Sequence, residues 1–138
     1  MGIRLSYRKK NIESEERCLG KLFSYLERDT DADACKCISY LVSIGAIDQL
    51  LDEFEDLKEY GKNEKFEVIC CISSYQDYGE FFELTKEQAK EFIRLYAEDW
   101  NRVWKKDGWD ENELEKEFAF MDRMSSCDSS IFEFRLGA

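Results

Sequence analysis

Histidine and proline are both absent from the 138 residues, and no apolar run approaches the about 18 residues that a membrane-spanning helix requires. The first absence removes the commonest general base and the usual partner of a serine or cysteine nucleophile. An acid–base enzyme would have to operate on carboxylates alone. The second, with the lack of any low-complexity tract, leaves no natural linker, so residues 1–138 are expected to form one domain. Nor does the sequence open with a basic segment, an apolar stretch and a small-residue cleavage site, which predicts a soluble, cytoplasmic protein. At 43% apolar content such a chain can build a core without covalent staples.

Chemical motifs are equally scarce. No G-x-G-x-x-G, P-loop or H-E-x-x-H pattern occurs. Residues 29–40, "DTDADACKCISY", begin like a calcium loop but lack the central glycine and the acidic twelfth residue. The "CKC" of Cys35 and Cys37 is one residue short of a zinc knuckle, and Cys70 and Cys71 point to opposite faces of an expected strand. No metal and no cofactor is therefore expected. In a reducing compartment the six cysteines are expected as free thiols. Asp31 and Asp33 oppose a reactive thiolate at Cys35 or Cys37. The carboxylate pairs Glu98/Asp99 and Glu53/Asp56 would need a cleft and a raised pKa to act as glycosidase acids, and both are expected on polar helix sides.

What the sequence has in quantity is hydrophobic periodicity. Ile3, Leu5 and Tyr7 alternate with Arg4, Ser6 and Arg8, the pattern of a half-buried strand. Cys18, Leu19, Leu22, Tyr25 and Leu26 have helical spacing; Ala34, Cys37, Ile38, Leu41 and Val42 mark a second helix ending at Gly45. Ile47, Leu50, Leu51, Phe54 and Leu57 mark a third, stopped by Gly61. The period then falls to two in "KFEVICCISS", with Phe66, Val68, Cys70 and Ile72 on one face and "EFFEL" as the returning antiparallel strand. Thr85 and Gln88 form a capping-box pattern ahead of the stripe Ala89, Phe92, Ile93, Tyr96, Ala97, Trp100 and Val103, and Gly108 should end that helix. Asp110 with Glu113 caps a fifth helix, Trp109 is placed to staple onto Leu114, and the helix should reach Met124. "IFEFRL" supplies the last strand. The order β-ααα-ββ-αα-β predicts an α+β fold with a small, mostly antiparallel sheet covered by helices. Trp100 and Trp109 are expected in packing roles, with Trp104 at the margin of its stripe as a candidate exposed contact.

The net charge of −11 is unevenly distributed. Residues 1–44 carry 8 basic and 7 acidic side chains, whereas residues 45–138 carry 12 and 24. Direct phosphate binding by the larger part is disfavoured, since affinity for nucleic acid rests on lysine and arginine displacing counterions. Its natural partners are basic surfaces. Asp48, Asp52, Glu55 and Glu59 recur at intervals of four, three and four along the third expected helix, flanked by Glu53 and Asp56 and relieved by Lys58 alone. A second cluster, "DGWDENELEKE", contains Asp107, Glu111, Glu115 and Glu117 besides the capping carboxylates Asp110 and Glu113. Carboxylates four residues apart rise about 6 Å along a helix, of the same order as the about 3.4 Å of axis per phosphate on a DNA strand. A plain solvated face is the bland alternative for both clusters.

In order and composition, residues 65–124, "FEVICCISSYQDYGEFFELTKEQAKEFIRLYAEDWNRVWKKDGWDENELEKEFAFMDRM" with the lysine before it, resemble a small phage anti-CRISPR protein that inhibits Cas9 by imitating DNA: strands, an aromatic-rich helix, then a short acidic helix. The resemblance implies a non-enzymatic, stoichiometric inhibitor occupying the basic nucleic-acid groove of a Cas nuclease or another nucleic-acid-binding enzyme. An immunity protein for a basic nuclease toxin and an adaptor or oligomeric module remain as alternatives. The acidic residues 48, 52, 53, 55, 56, 59, 107, 111, 115 and 117 are the candidate partner-binding positions.

Overall fold

The computed structural model describes residues 4–10, 16–21, 36–48, 82–103 and 108–137. They form β1 (Arg4–Lys9), β2 (Arg17–Lys21), α1 (Lys36–Ser43), β3 (Phe82–Thr85), α2 (Lys86–Val103), α3 (Glu111–Met124) and β4 (Ile131–Gly137). The architecture is α+β: a four-stranded antiparallel sheet in the order β2-β1-β4-β3 with three helices.

Alternation decides which sheet face is buried. Leu5 and Tyr7 of β1, Phe132 and Phe134 of β4, and Phe82 and Leu84 of β3 all point into the core. The register places Tyr7 opposite Phe134 and Phe134 opposite Phe82, so three rings lie side by side across three strands. Phe134 stacks on Tyr7 at 5.1 Å and on Phe82 at 5.5 Å, and Phe92 of α2 meets Phe134 edge-on at 5.4 Å. Aromatic pairs in these geometries contribute about 0.5–1.5 kcal/mol each beyond their buried area. The opposite face is charged and self-paired, with Arg8 near Glu133, Lys10 on Glu83 and Arg135 on Glu16.

The helices follow the expected local code. The hydroxyl of Thr85 accepts from the amide of Gln88 at 3.2 Å while the Gln88 side chain accepts from the amide of Thr85 at 3.1 Å, a reciprocal capping box. Ala89, Phe92, Ile93, Tyr96 and Ala97 form the buried stripe of α2, and Trp100 packs partly against the core. Asp110 caps α3 by accepting from the amide of Glu113 at 2.8 Å, and the helix ends at Met124. Trp109 and Leu114 both pack on the core beside it. Helix α1 stops at Gly45, whose φ of 74° lets the amides of Gly45 and Ala46 turn back onto the carbonyls of Val42 and Leu41. Gly108 has a further role. A Cβ there would lie 2.4 Å from Oδ1 of Asn101, whose amide both donates to and accepts from the backbone of Trp109.

One expected helix is a strand. Arg17–Lys21 pairs with β1 instead of beginning a helix over Cys18–Leu26, whose remaining residues lie outside the described set. The two residues of that stripe within the strand, Cys18 and Leu19, do not outweigh the ladder that β1 offers on its free side. The register slips between Leu5 and Ser6, which leaves Leu19 as the extra residue of a bulge, buried, while Cys18 is exposed. Strand β3 pairs with β4 on one side. Its anticipated partner, residues 66–72, and the third expected helix beyond Asp48 lie outside the described residues, as does Trp104.

Lys86, at the start of α2, has its side chain buried and ties the end of α3 to the turn before β4. Its ammonium donates to the carbonyl of Ser125 at 3.1 Å and pairs with Asp122 at 3.0 Å and Asp128 at 3.3 Å. Asp122 also accepts from Lys90 at 2.8 Å. Lys90 and then Lys86 hold the Asp122 carboxyl below its ordinary value of 3.8. A depressed folded value stabilises the fold fully above the ordinary carboxylate range, and that contribution disappears as pH falls through the depressed value. Asp122→Asn is thus expected to lower stability at neutral pH and to flatten the loss of stability in acid, measured by urea denaturation across pH. Phe134→Ala, which removes the middle ring of the stack, is expected to cost about 3–5 kcal/mol in the same assay at neutral pH.

Candidate acidic interface

The described carboxylates fall into two populations. In the first, the fold itself supplies the counter-charge or the hydrogen bonds. Glu117 is the clearest member and corrects an expectation: it is a buried residue of α3, 4% exposed, and not part of an outward acidic face. Its carboxylate receives Arg17 in a fork, with contacts of 2.9 and 3.0 Å, and accepts the hydroxyl of Tyr7. The physical reason is helical phase. Position 117 lies three residues after Leu114 and four before Met121, on the packing side of α3. Burial, followed by the hydrogen bond from its hydroxyl to Glu117, pushes the Tyr7 phenol above its usual pKa. The Arg17 guanidinium also lies 4.7 Å from the centre of the Phe120 ring.

Asp99 is a second correction. It is 1% exposed, and its two oxygens accept from the backbone amides of Lys36 at 3.1 Å and Cys37 at 2.9 Å. A carboxylate from α2 thereby caps the positive N-terminal end of α1. Glu98 pairs with Arg94 and Lys36. Both carboxylates of the pair are thus engaged by groups within the chain.

The second population consists of exposed carboxylates with no cation partner among the described residues. Asp110 at the N-cap of α3 and Glu111, Glu113 and Glu115 in its first turns are exposed, and Asp48 and Glu87 are further members. Asp110 and Glu113 are partly accounted for by the cap and all of the first-turn acids by the helix dipole. Glu115 has neither explanation. Asp52, Glu53, Glu55, Asp56, Glu59 and Asp107 lie outside the described residues.

Comparison of the chain with protein families, curated proteins and solved structures finds no match. The chemistry must come from the site itself. No described helix is long and apolar enough to cross a membrane, and no cluster of three or more potential metal ligands occurs among the described residues. Three free thiols are described: Cys37 is buried, and Cys18 and Cys127 are exposed. Cys127 lies 3.0 Å from the hydroxyl of Ser129, whose hydrogen bond draws the thiol pKa down.

One feature had no sequence signal. An open groove of about 620 Å³ lies over α2, with Tyr40 of α1 and Phe118 of α3 as aromatic walls and Glu87 among its lining residues. No local pattern brings Tyr40 and Glu87 together, because they belong to different helices and meet only through packing.

The two populations respond differently to neutralisation. Glu117→Gln is expected to cost about 1–3 kcal/mol, the range for impairing a buried charged hydrogen bond. Glu115→Gln, beyond the first turn, should leave the urea midpoint unchanged or slightly raised, because Glu115 lies four residues from Glu111 and like charges at that spacing repel.

Proposed function

We propose that the protein is a non-enzymatic acidic inhibitor that occupies the basic nucleic-acid groove of a host nuclease or another nucleic-acid-binding protein, with carboxylates standing in for phosphates. The observation that carries this reading is the sorting of charge on α3. Glu117 is internally neutralised by Arg17, whereas Glu111, Glu113 and Glu115 on the same helix are exposed and unpaired among the described residues. A carboxylate without an internal cation presents its full charge to a partner, and a concentration of them at one helix end steers association with a positive cleft. Once docked, these carboxylates exclude the polyanion that the cleft serves. The concentration of acidity in residues 45–138 and the resemblance of residues 65–124 to DNA-imitating anti-CRISPR proteins support the same reading.

The test is affinity capture from a host lysate at low and high salt, followed by assay of the captured protein for nucleic-acid binding. The expected outcome is salt-sensitive retention of a nucleic-acid-binding protein that duplex DNA displaces. Retention should weaken strongly with Glu111→Gln, Glu113→Gln and Glu115→Gln combined. Equal capture by both proteins, or capture indifferent to DNA, would remove the reading.

A further inference from the structure

We infer that the groove over α2 is a receptor for one guanidinium group, the side chain of an arginine on the basic partner, with Glu87 as its carboxylate and Tyr40 as its stacking wall. The identity of the donor rests on the inhibitor reading; the preference for guanidinium rests on the groove alone.

The charge inventory of the groove leaves one carboxylate without a cation partner among the described residues: Glu87, in the first turn of α2, which the helix dipole favours but does not neutralise. The cations of the groove are already engaged: Lys90 donates to Asp122 at 2.8 Å, and Arg94 binds Glu91 through two nitrogens and Glu98 through a third. Asp128 shares the ammonium of Lys86. Glu87 alone among the lining carboxylates is exposed without a cation partner among the described residues. An anion would meet repulsion here, and a neutral polar ligand would find the cationic donors occupied. Charge complementarity selects a cation.

The shape selects the kind of cation. Tyr40 is half-buried, packed on the core along one side and lining the groove along another. Its hydroxyl is pushed above its usual pKa, first by burial and then by Glu91 and Glu87, which places both carboxylates within electrostatic reach of the phenol. The Phe118 ring already has the Lys90 ammonium near its face, at 5.8 Å, so Tyr40 is the wall that remains. A guanidinium stacks flat on an aromatic ring and forks onto a carboxylate at once, while an ammonium offers only a point charge. The described residues contain this double contact where Arg17 lies over Phe120 at 4.7 Å and forks onto Glu117. At about 620 Å³ the groove has room for the planar head and its methylene stem.

The experiment titrates isotopically labelled protein with N-acetyl-arginine N-methylamide and with its citrulline counterpart, which has nearly the same shape but no charge. Saturable amide shifts around Tyr40 and Glu87 are expected with arginine and not with citrulline. Glu87→Gln should weaken binding about tenfold or more, with an unchanged circular dichroism spectrum. Tyr40→Leu should weaken binding, whereas Tyr40→Phe should preserve it. Equal response to citrulline, shifts outside the groove, or an unaltered Glu87→Gln variant would overturn the proposal. A peptide with arginine between two alanines should bind as well as the free derivative; failure of the peptide alone would overturn the partner as donor. The α3 triple variant should bind the arginine derivative as wild type does, so loss of partner capture in that variant and loss of arginine binding in Glu87→Gln report separate failures.

Discussion

The phenol of Tyr7 is the contact on which several elements depend at once. Its ring is one of the three stacked across the sheet, and its hydroxyl reaches the carboxylate that α3 turns inward. That carboxylate in turn receives Arg17 from β2. A single side chain thus connects the aromatic core, the orientation of α3 and the anchoring of β2. Burying Glu117 without these partners would cost more than the surrounding packing could offset, so the hydroxyl and the guanidinium must arrive together. The rotation of α3 that satisfies this triad also determines which of its other carboxylates face outward.

The same economy of charge extends across the described structure. Asp99 completes the N-terminus of α1, Asp122 and Asp128 enclose Lys86, and the outer sheet face balances its own arginines and glutamates. Carboxylates that stabilise the fold are those whose partners come from elsewhere in the chain. Those left over cluster on the first half of α3, with Glu87 beside the groove. The fold neutralises one acidic set and presents another, a division that net charge cannot express.

Much of this architecture is legible in sequence because its causes are local. The stripe of α2, the reciprocal pair Thr85 and Gln88, the cap at Asp110 and the alternation in β1 and β4 involve residues within a few positions of one another. The α+β class follows from those elements. Strand β2 has a helical pattern in sequence because its conformation is decided by the free side of β1, which no short window contains. Glu117 and Asp99 are hidden from sequence for a related reason. Each looks like one more acid in an acidic helix, and only its phase against Leu114 and Met121, or against Tyr96 and Trp100, places it inward, while the partners that neutralise it lie far away in sequence. Of the acidic interface, the exposed half on α3 was legible as composition. The groove was invisible because it is a relation between three helices.

The two central strands of the sheet, β1 and β4, are also the first and last of the described strands. On one side β1 meets β2, which follows it closely, with Arg4 opposite Lys21; on the other it meets β4, with Arg4 opposite Gly137. Until β4 is made, the edge of β1 that receives it has unpaired backbone groups on which another strand could pair. The centre of the sheet is thus a long-range pair and not a hairpin, and β4, seated between β1 and β3, joins the β1–β2 pair to β3. The loop-closure entropy of the fold therefore falls mainly on the β1–β4 ladder, a contact of long sequence separation at the middle of the sheet.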